Sequence, residues 1–238
     1  MKLTRSKKPL YAQIANIVKD RIVHGVYPVG TNIPSEPQLE QEFQVSKVTV
    51  RNAIKELAQD GYVETGSGKG TKVIRNTSAS KLSKLKRFTE VLVEDGHQIS
   101  KQLLGAEHVI NDEGTTAYQL FGERCLRVER LYRLDGEPYI HYTHYLSCRA
   151  ASMELSDLGA QSLYDLLEEQ SITISKYRDE FSAAAAAPAS VLAALHIEAG
   201  TPLLKRSRYA YDESGQLIEY SEGYYHTERH HYVVNYDV

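Results

Sequence analysis

The chain has 238 residues, 42% of them hydrophobic and 25% charged, with a formal net charge of -3. That composition buries a core, so a long disordered or collagen-like polymer is excluded, and the length suits one large domain or two smaller ones. The two cysteines, Cys125 and Cys148, form no Cys-x-x-Cys pair; a disulfide scaffold and a cysteine-based zinc site are excluded, and a reducing cytosol is the default.

Met1 to Pro9 is basic, but no apolar core follows it, so a secretory signal is not expected. Leu10, Ile14, Ile17, Val18 and Ile22 lie at helical spacing between Pro9 and His24, and Gly25 is a natural stop. Pro28 and Gly30 mark a loop. Ser35 can cap a second helix, with Gln38 completing a capping box and Leu39 and Phe43 as its buried side. Ser46 caps a third helix to about Gln59, with Val50, Ala53, Ile54 and Leu57 inward and Gly61 ending it. Tyr62 to Thr65 and Thr71 to Ile74 then flank Gly66-Ser67-Gly68-Lys69-Gly70, a hairpin with a glycine-rich tip. Asn76 to Arg87 holds four cations and no acid and reads as a linker.

Beyond residue 88 strands mix with short helices. Leu126–Leu134 and Tyr139–Tyr145 enclose Asp135-Gly136, a hairpin signal. Ser162 is placed to cap a helix with Leu163, Leu166 and Leu167; Ile172–Phe181 reads as a strand. Pro188 suits the first turn of a helix with Val191, Leu192 and Leu195. Leu203–Tyr211 and Leu217–Tyr225 form a further hairpin. No apolar run approaches the roughly 20 residues of a membrane-spanning helix, so no membrane partner is expected. The expected organisation is α+β: an N-terminal winged helix-turn-helix domain over 1–75, a linker over 76–87, and a mixed domain with an antiparallel sheet over 88–238.

Charge divides along the same line. Residues 1–87 hold 16 Lys+Arg and 7 Asp+Glu, or +9; the remainder holds 12 and 24, or -12. A basic front on an acidic back suits a front that meets a polyanion. In a winged helix-turn-helix the third helix enters the major groove. Its outer face here is Ser46, Lys47, Thr49, Arg51 and Asn52. Arg51 can present two parallel N–H groups to guanine O6 and N7. Ser46, Thr49 and the helix N-terminus can hold a phosphate. Gly68 and Gly70 let the backbone approach the duplex, and Lys69 can reach the minor groove or a phosphate.

Pro9-Leu10-Tyr11, Gly30 to Glu36 (including Ser35), Val45 to Arg51 and Gly68-Lys69-Gly70-Thr71 stand in order. In these motifs residues 9–74 resemble the GntR family of bacterial transcription regulators. The resemblance implies DNA contact by Ser35 and Glu36 as well as by the residues above. Two positions depart from it: Pro37 stands where many relatives carry an arginine, and Lys47 where arginine is commoner. A point charge thus replaces a fork at 47.

Residues 88–235 resemble the effector domain of the HutC-type subfamily, whose fold is similar to chorismate lyase. Phe88-Thr89-Glu90, Arg130, Asp135 to Pro138, Ser162 to Asp165 and Ile218 to Tyr225 carry that likeness. It implies a pocket for a small anion, such as a sugar phosphate, with Thr89 and Arg130 on the phosphate and Glu219 and Tyr225 on the rest. Ser162, Tyr164, Tyr177 and Arg178 lie on elements that could contribute. Tyr132 stands where some relatives have a second arginine, and Tyr142 replaces an acid. For Arg130 a structural pairing with Glu129 or Glu219 stays open beside the ligand role.

His226 and His230 have a metal-like spacing but no accompanying motif, and neither a metal nor a cofactor is expected. His141 and His144, three apart on a strand, should face opposite sides. The function expected is a ligand-responsive, homodimeric repressor bound to a palindromic operator. A lyase-like enzyme and a non-specific DNA-binding protein are the alternatives. Fold likeness alone carries no activity, and no nucleophile-base arrangement stands in the sequence.

Overall fold

The apolar stripe at the start of the chain forms α1 (Leu10–Val23), which buries Ile14, Ile17, Val18 and Ile22. It ends where Gly25 takes φ +77 and the Val26 N–H donates back to the Arg21 carbonyl at 2.8 Å, a left-handed stop that glycine adopts freely. The computed structural model describes residues 9–66, 70–76, 88–150, 157–159 and 162–233.

α2 (Glu36–Phe43) and α3 (Lys47–Gln59) follow. At α2 the expected capping box forms: the Ser35 side chain accepts from the Gln38 backbone N–H, and Gln38 Oε1 accepts from the Ser35 N–H at 2.9 Å and also from the Ser35 hydroxyl at 2.9 Å. At α3 the cap is as expected: Ser46 Oγ accepts from the Thr49 N–H at 3.3 Å. α3 ends as α1 does, at Gly61 with φ +74 and a Tyr62 N–H to Leu57 carbonyl bond of 2.9 Å. β1 (Val63–Gly66) and β2 (Gly70–Val73) pair antiparallel. Residues 31–33 flank β2: the Ile33 N–H donates to Thr71 and the Val73 N–H to Thr31. One core joins these pieces, with Ile14, Ile33, Leu39, Phe43, Val50, Leu57, Tyr62 and Val73 all buried. This is the winged helix-turn-helix plan. α4 (Phe88–Glu94) belongs to the same compact unit, which runs to Ile99; Val93 and the His97 carbonyl stand against Gly25.

The second unit covers 100–233. Its six-stranded antiparallel sheet has the order β3-β4-β5-β8-β7-β6. The strands are β3 (Ile99–Ile110), β4 (Arg124–Leu134), β5 (Glu137–Leu146), β6 (Ile174–Ala184), β7 (Leu203–Asp212) and β8 (Leu217–Tyr225). β4 turns into β5 at Asp135 and Gly136, whose φ values of +50 and +89 are those of a type I′ turn. The short helices are α5 (Thr116–Phe121), α6 (Leu163–Glu169) and α7 (Ala189–Leu195).

Two of these helices differ in detail from the sequence expectation. Ser162 stands at the N-cap of α6 but makes no capping bond, and Pro188 is the N-cap of α7 rather than its first residue. Each helix closes part of one sheet face. α6 packs Leu163, Leu166 and Leu167 onto Leu126, Val128, Leu146 and Ala210. α7 packs Val191 and Leu195 onto Leu131, Leu203 and Tyr224 on the other face.

Candidate nucleic-acid interface and effector site

The hydrophobic positions of α3 turn Val50, Ala53, Ile54 and Leu57 inward. The same periodicity leaves Lys47, Arg51 and Asn52 exposed, with Thr49 half-buried. Arg51 keeps 59% of its side chain in solvent. Its Nε donates to both carboxylate oxygens of Glu36, at 3.0 and 3.2 Å. Glu36 therefore sets the direction of the guanidinium from α2, and the terminal nitrogens have no partner among the described residues. Ser46 is exposed, and its hydroxyl shares a hydrogen bond with Thr49 Oγ1 at 2.9 Å. Ser35 is exposed at the start of α2. Gly70, with φ +83, opens β2 against the Asn32 side chain. Gly68 and Lys69 lie outside the described residues.

In the second unit, strand alternation sorts the polar residues. Register places Arg130 on β4 opposite Tyr142 on β5, Tyr142 opposite Gly223 on β8, and Gly223 opposite Arg206 on β7. The next row is Val128, His144, Ser221, Arg208 and Asp179. These side chains share the face that α6 partly covers.

Glu219 is fully buried on that face. It accepts from His144 Nδ1 at 2.6 Å and from the Tyr164 hydroxyl at 2.7 Å. Burial alone would raise its pKa, but the His144 and Tyr164 bonds and the nearby Arg208 hold it below the usual carboxylate value. Burial depresses His144, helped by Arg130 and Arg206 and opposed by Glu219. The resulting pair is a neutral imidazole donating to a carboxylate, with His144 Nε2 buried and unpartnered. Arg208 makes a two-pronged bond to Asp179, both contacts 2.7 Å, over the Tyr177 ring. Arg130 Nη2 donates to the Leu158 carbonyl at 2.6 Å, and it is Arg127 that pairs with Glu129.

Of the effector residues expected from the sequence, Arg130, Tyr132, Tyr142, Tyr164, Tyr177, Glu219 and Tyr225 come together. Tyr142 meets Tyr132 and Tyr225 edge-on, and Tyr164 meets Tyr177. Ser162 lies two residues before Tyr164, half-buried. Arg178 does not join them: one residue from Tyr177, it points to the other face, stacks over Tyr209 and pairs with Glu180. Thr89 falls in α4, and its side chain lies outside the described residues. His141 and His144 occupy opposite faces, as their spacing requires. Sequence reasoning missed Arg206, Arg208 and Asp179. The signal legible in the sequence was two arginines two residues apart within an expected strand, hence on one face.

Residues 10–73 match the family described as bacterial regulatory proteins, gntR family, and residues 94–231 match the UTRA domain. The chain belongs to the GntR family and carries a UTRA domain. The "Probable fructoselysine utilization operon transcriptional repressor" of Escherichia coli (strain K12) is 28% identical, covering 91% of this chain and 90% of its own length. The transcriptional repressor NagR of Bacillus subtilis is 27% identical, covering 96% and 95%. The crystal structure of PhnF from Mycobacterium smegmatis shares the fold, with a TM-score of 0.53 at 24% identity over 90% of this chain and 95% of that one. As a UTRA-bearing GntR protein, the chain is a DNA-binding transcription regulator with an effector domain.

Proposed function

We propose that this GntR regulator is a homodimeric repressor of an operon for use of a sugar or other small metabolite, released when a small anion binds the buried sheet face. The observation that carries the DNA half is Arg51, fixed through Nε by Glu36 on a capped helix, with its terminal nitrogens outward. A fork held this way meets a guanine without paying again for its orientation. Ser46, Lys47, Thr49 and Asn52 surround it for phosphate and edge contacts, and Gly68, Lys69 and Gly70 add the wing. Dimer pairing through residues 88–238 would set two heads on a palindrome about 34–36 Å apart.

The effector half rests on Arg130, Glu219 and the ring of tyrosines. Arg130 supplies a cation for a phosphate or carboxylate. Glu219 and the bare His144 Nε2 accept from ligand hydroxyls. A coupling of roughly 1–3 kcal/mol, conveyed through the 76–87 linker, is enough to separate bound from released.

The experiment is a footprint on the palindromic DNA upstream of the regulated genes, with competitor duplex and a salt series. Protection of the palindrome alone, relieved by a metabolite that also raises the melting temperature, is the expected result. Equal protection of any sequence, governed by salt alone, refutes it.

A further inference from the structure

The charges on the buried face do not balance. Among the described residues, Arg208 has Asp179, and Glu219 has His144 and Tyr164. Among those same residues Arg206 makes no ion pair: Asp179, whose carboxyl its charge helps to hold down, is bonded to Arg208 instead. It is 8% exposed; Nη2 donates to the Tyr142 hydroxyl at 2.5 Å and Nη1 to the Tyr232 hydroxyl at 3.2 Å. Its Nε is buried without a partner. The Tyr142 and Tyr225 rings lie 5.4 and 5.6 Å from its guanidinium carbon. Phenol hydroxyls and ring faces are neutral. They soften the cost of burying a cation but do not cancel it.

The surroundings of this cation are also built. A Cβ added to Gly223 would stand 2.4 Å from Tyr142 Cε1. The missing side chain is what lets the Tyr142 ring cross β8 and put its hydroxyl on Arg206. Tyr142 and Tyr225 also share a hydrogen bond. A phenol thus occupies a place where an anion would be held far more strongly, between two donors on Arg206 and the hydroxyls of Tyr142, Tyr225 and Tyr232. Arg206 lies three strands from Arg130, about 14 Å between backbones, so it is a separate anchor.

We infer that Arg206 and its tyrosine ring form an oxyanion site that grips an acidic group of the effector, a carboxylate or a phosphate. The inference rests on reading this sheet face as the effector site. Bound there, the anion takes the two guanidinium donors, and Tyr142 turns its hydroxyl from the arginine to the ligand.

The test uses the full chain and two variants, Arg206→Met and Arg130→Met, with inorganic phosphate and acetate as probes at constant ionic strength. Melting temperature is the readout. The unaltered chain should show a saturable rise with at least one probe, and the stronger probe identifies phosphate or carboxylate chemistry. Arg206→Met should need at least tenfold more of that probe, yet melt no lower than the unaltered chain without it, because a buried cation lacking a counter-charge has been removed. A lower melting temperature without probe, a probe response like that of the unaltered chain, or no response in the unaltered chain overturns the site. If Arg130→Met alone loses the response, this inference fails and the effector-face reading stands. If neither variant changes it, both fail.

Discussion

Glu36, the first residue of α2, holds Arg51, in the second turn of α3, by both carboxylate oxygens on a single nitrogen. The pair ties the two helices together at the surface while leaving the end of the guanidinium to a partner. Arg51→Ala should lose sequence-specific duplex binding by about 1–3 kcal/mol, or roughly 5- to 150-fold. The melting temperature should hardly move, since the side chain is mostly in water. Glu36→Gln should give a smaller loss that falls more on specificity than on affinity. Mobility shifts with operator and scrambled duplexes measure both. Unchanged operator binding by Arg51→Ala would remove α3 as the reading helix.

Arg130→Ala should keep operator binding and lose release by the effector, because the residue sits on the buried sheet face of the UTRA unit. The check is a mobility shift with the metabolite that gives the largest thermal stabilisation in a screen. Normal release in that variant would reassign Arg130 to a structural role, of which its bond to the Leu158 carbonyl is the visible part.

Gly223→Ala should destabilise by about 1–3 kcal/mol, as overpacking does. The contact it makes is with the Tyr142 ring, so Tyr142→Leu in the same chain should recover much of the loss. Urea unfolding of the two single variants and the double variant closes the cycle, and a coupling near zero would show that the ring moves aside freely.

Acid should weaken the second unit in two steps. Folding holds His144 below its ordinary 6.5 and Glu219 below its ordinary 4.5. For both groups the unfolded chain binds protons more readily, so stability is full above about pH 6.5 and declines as pH falls. His141, depressed by burial on the opposite face, adds to the first step with the same sign. His144→Gln should lessen the fall of melting temperature between about pH 6.5 and 4.5, with His141 keeping part of it, and leave the fall below that.

The head was legible because its signals are local. Caps at Ser46, stops at Gly25 and Gly61, and one apolar stripe per helix fixed three helices to within a residue or two. The sheet was legible where one face is apolar, as on β4, β5 and β8. β3 escaped because it is an edge strand with mostly exposed side chains and no alternation to read. α5 is a six-residue helix with a single buried side chain, Ala117. On β7, Arg206 and Arg208 point inward, which inverts the usual rule that charge marks the wet side. Only the register with β8 and β6 reveals that their partners are a glycine, tyrosines and an aspartate.

One ring fills the space that another residue's side chain would occupy, so positions 142 and 223 can drift only as a unit. Among relatives, a bulky residue at 223 should appear with a slender one at 142. Sorting sequences by that exchange would group regulators by the shape of the signal they answer to, before any of those signals is known.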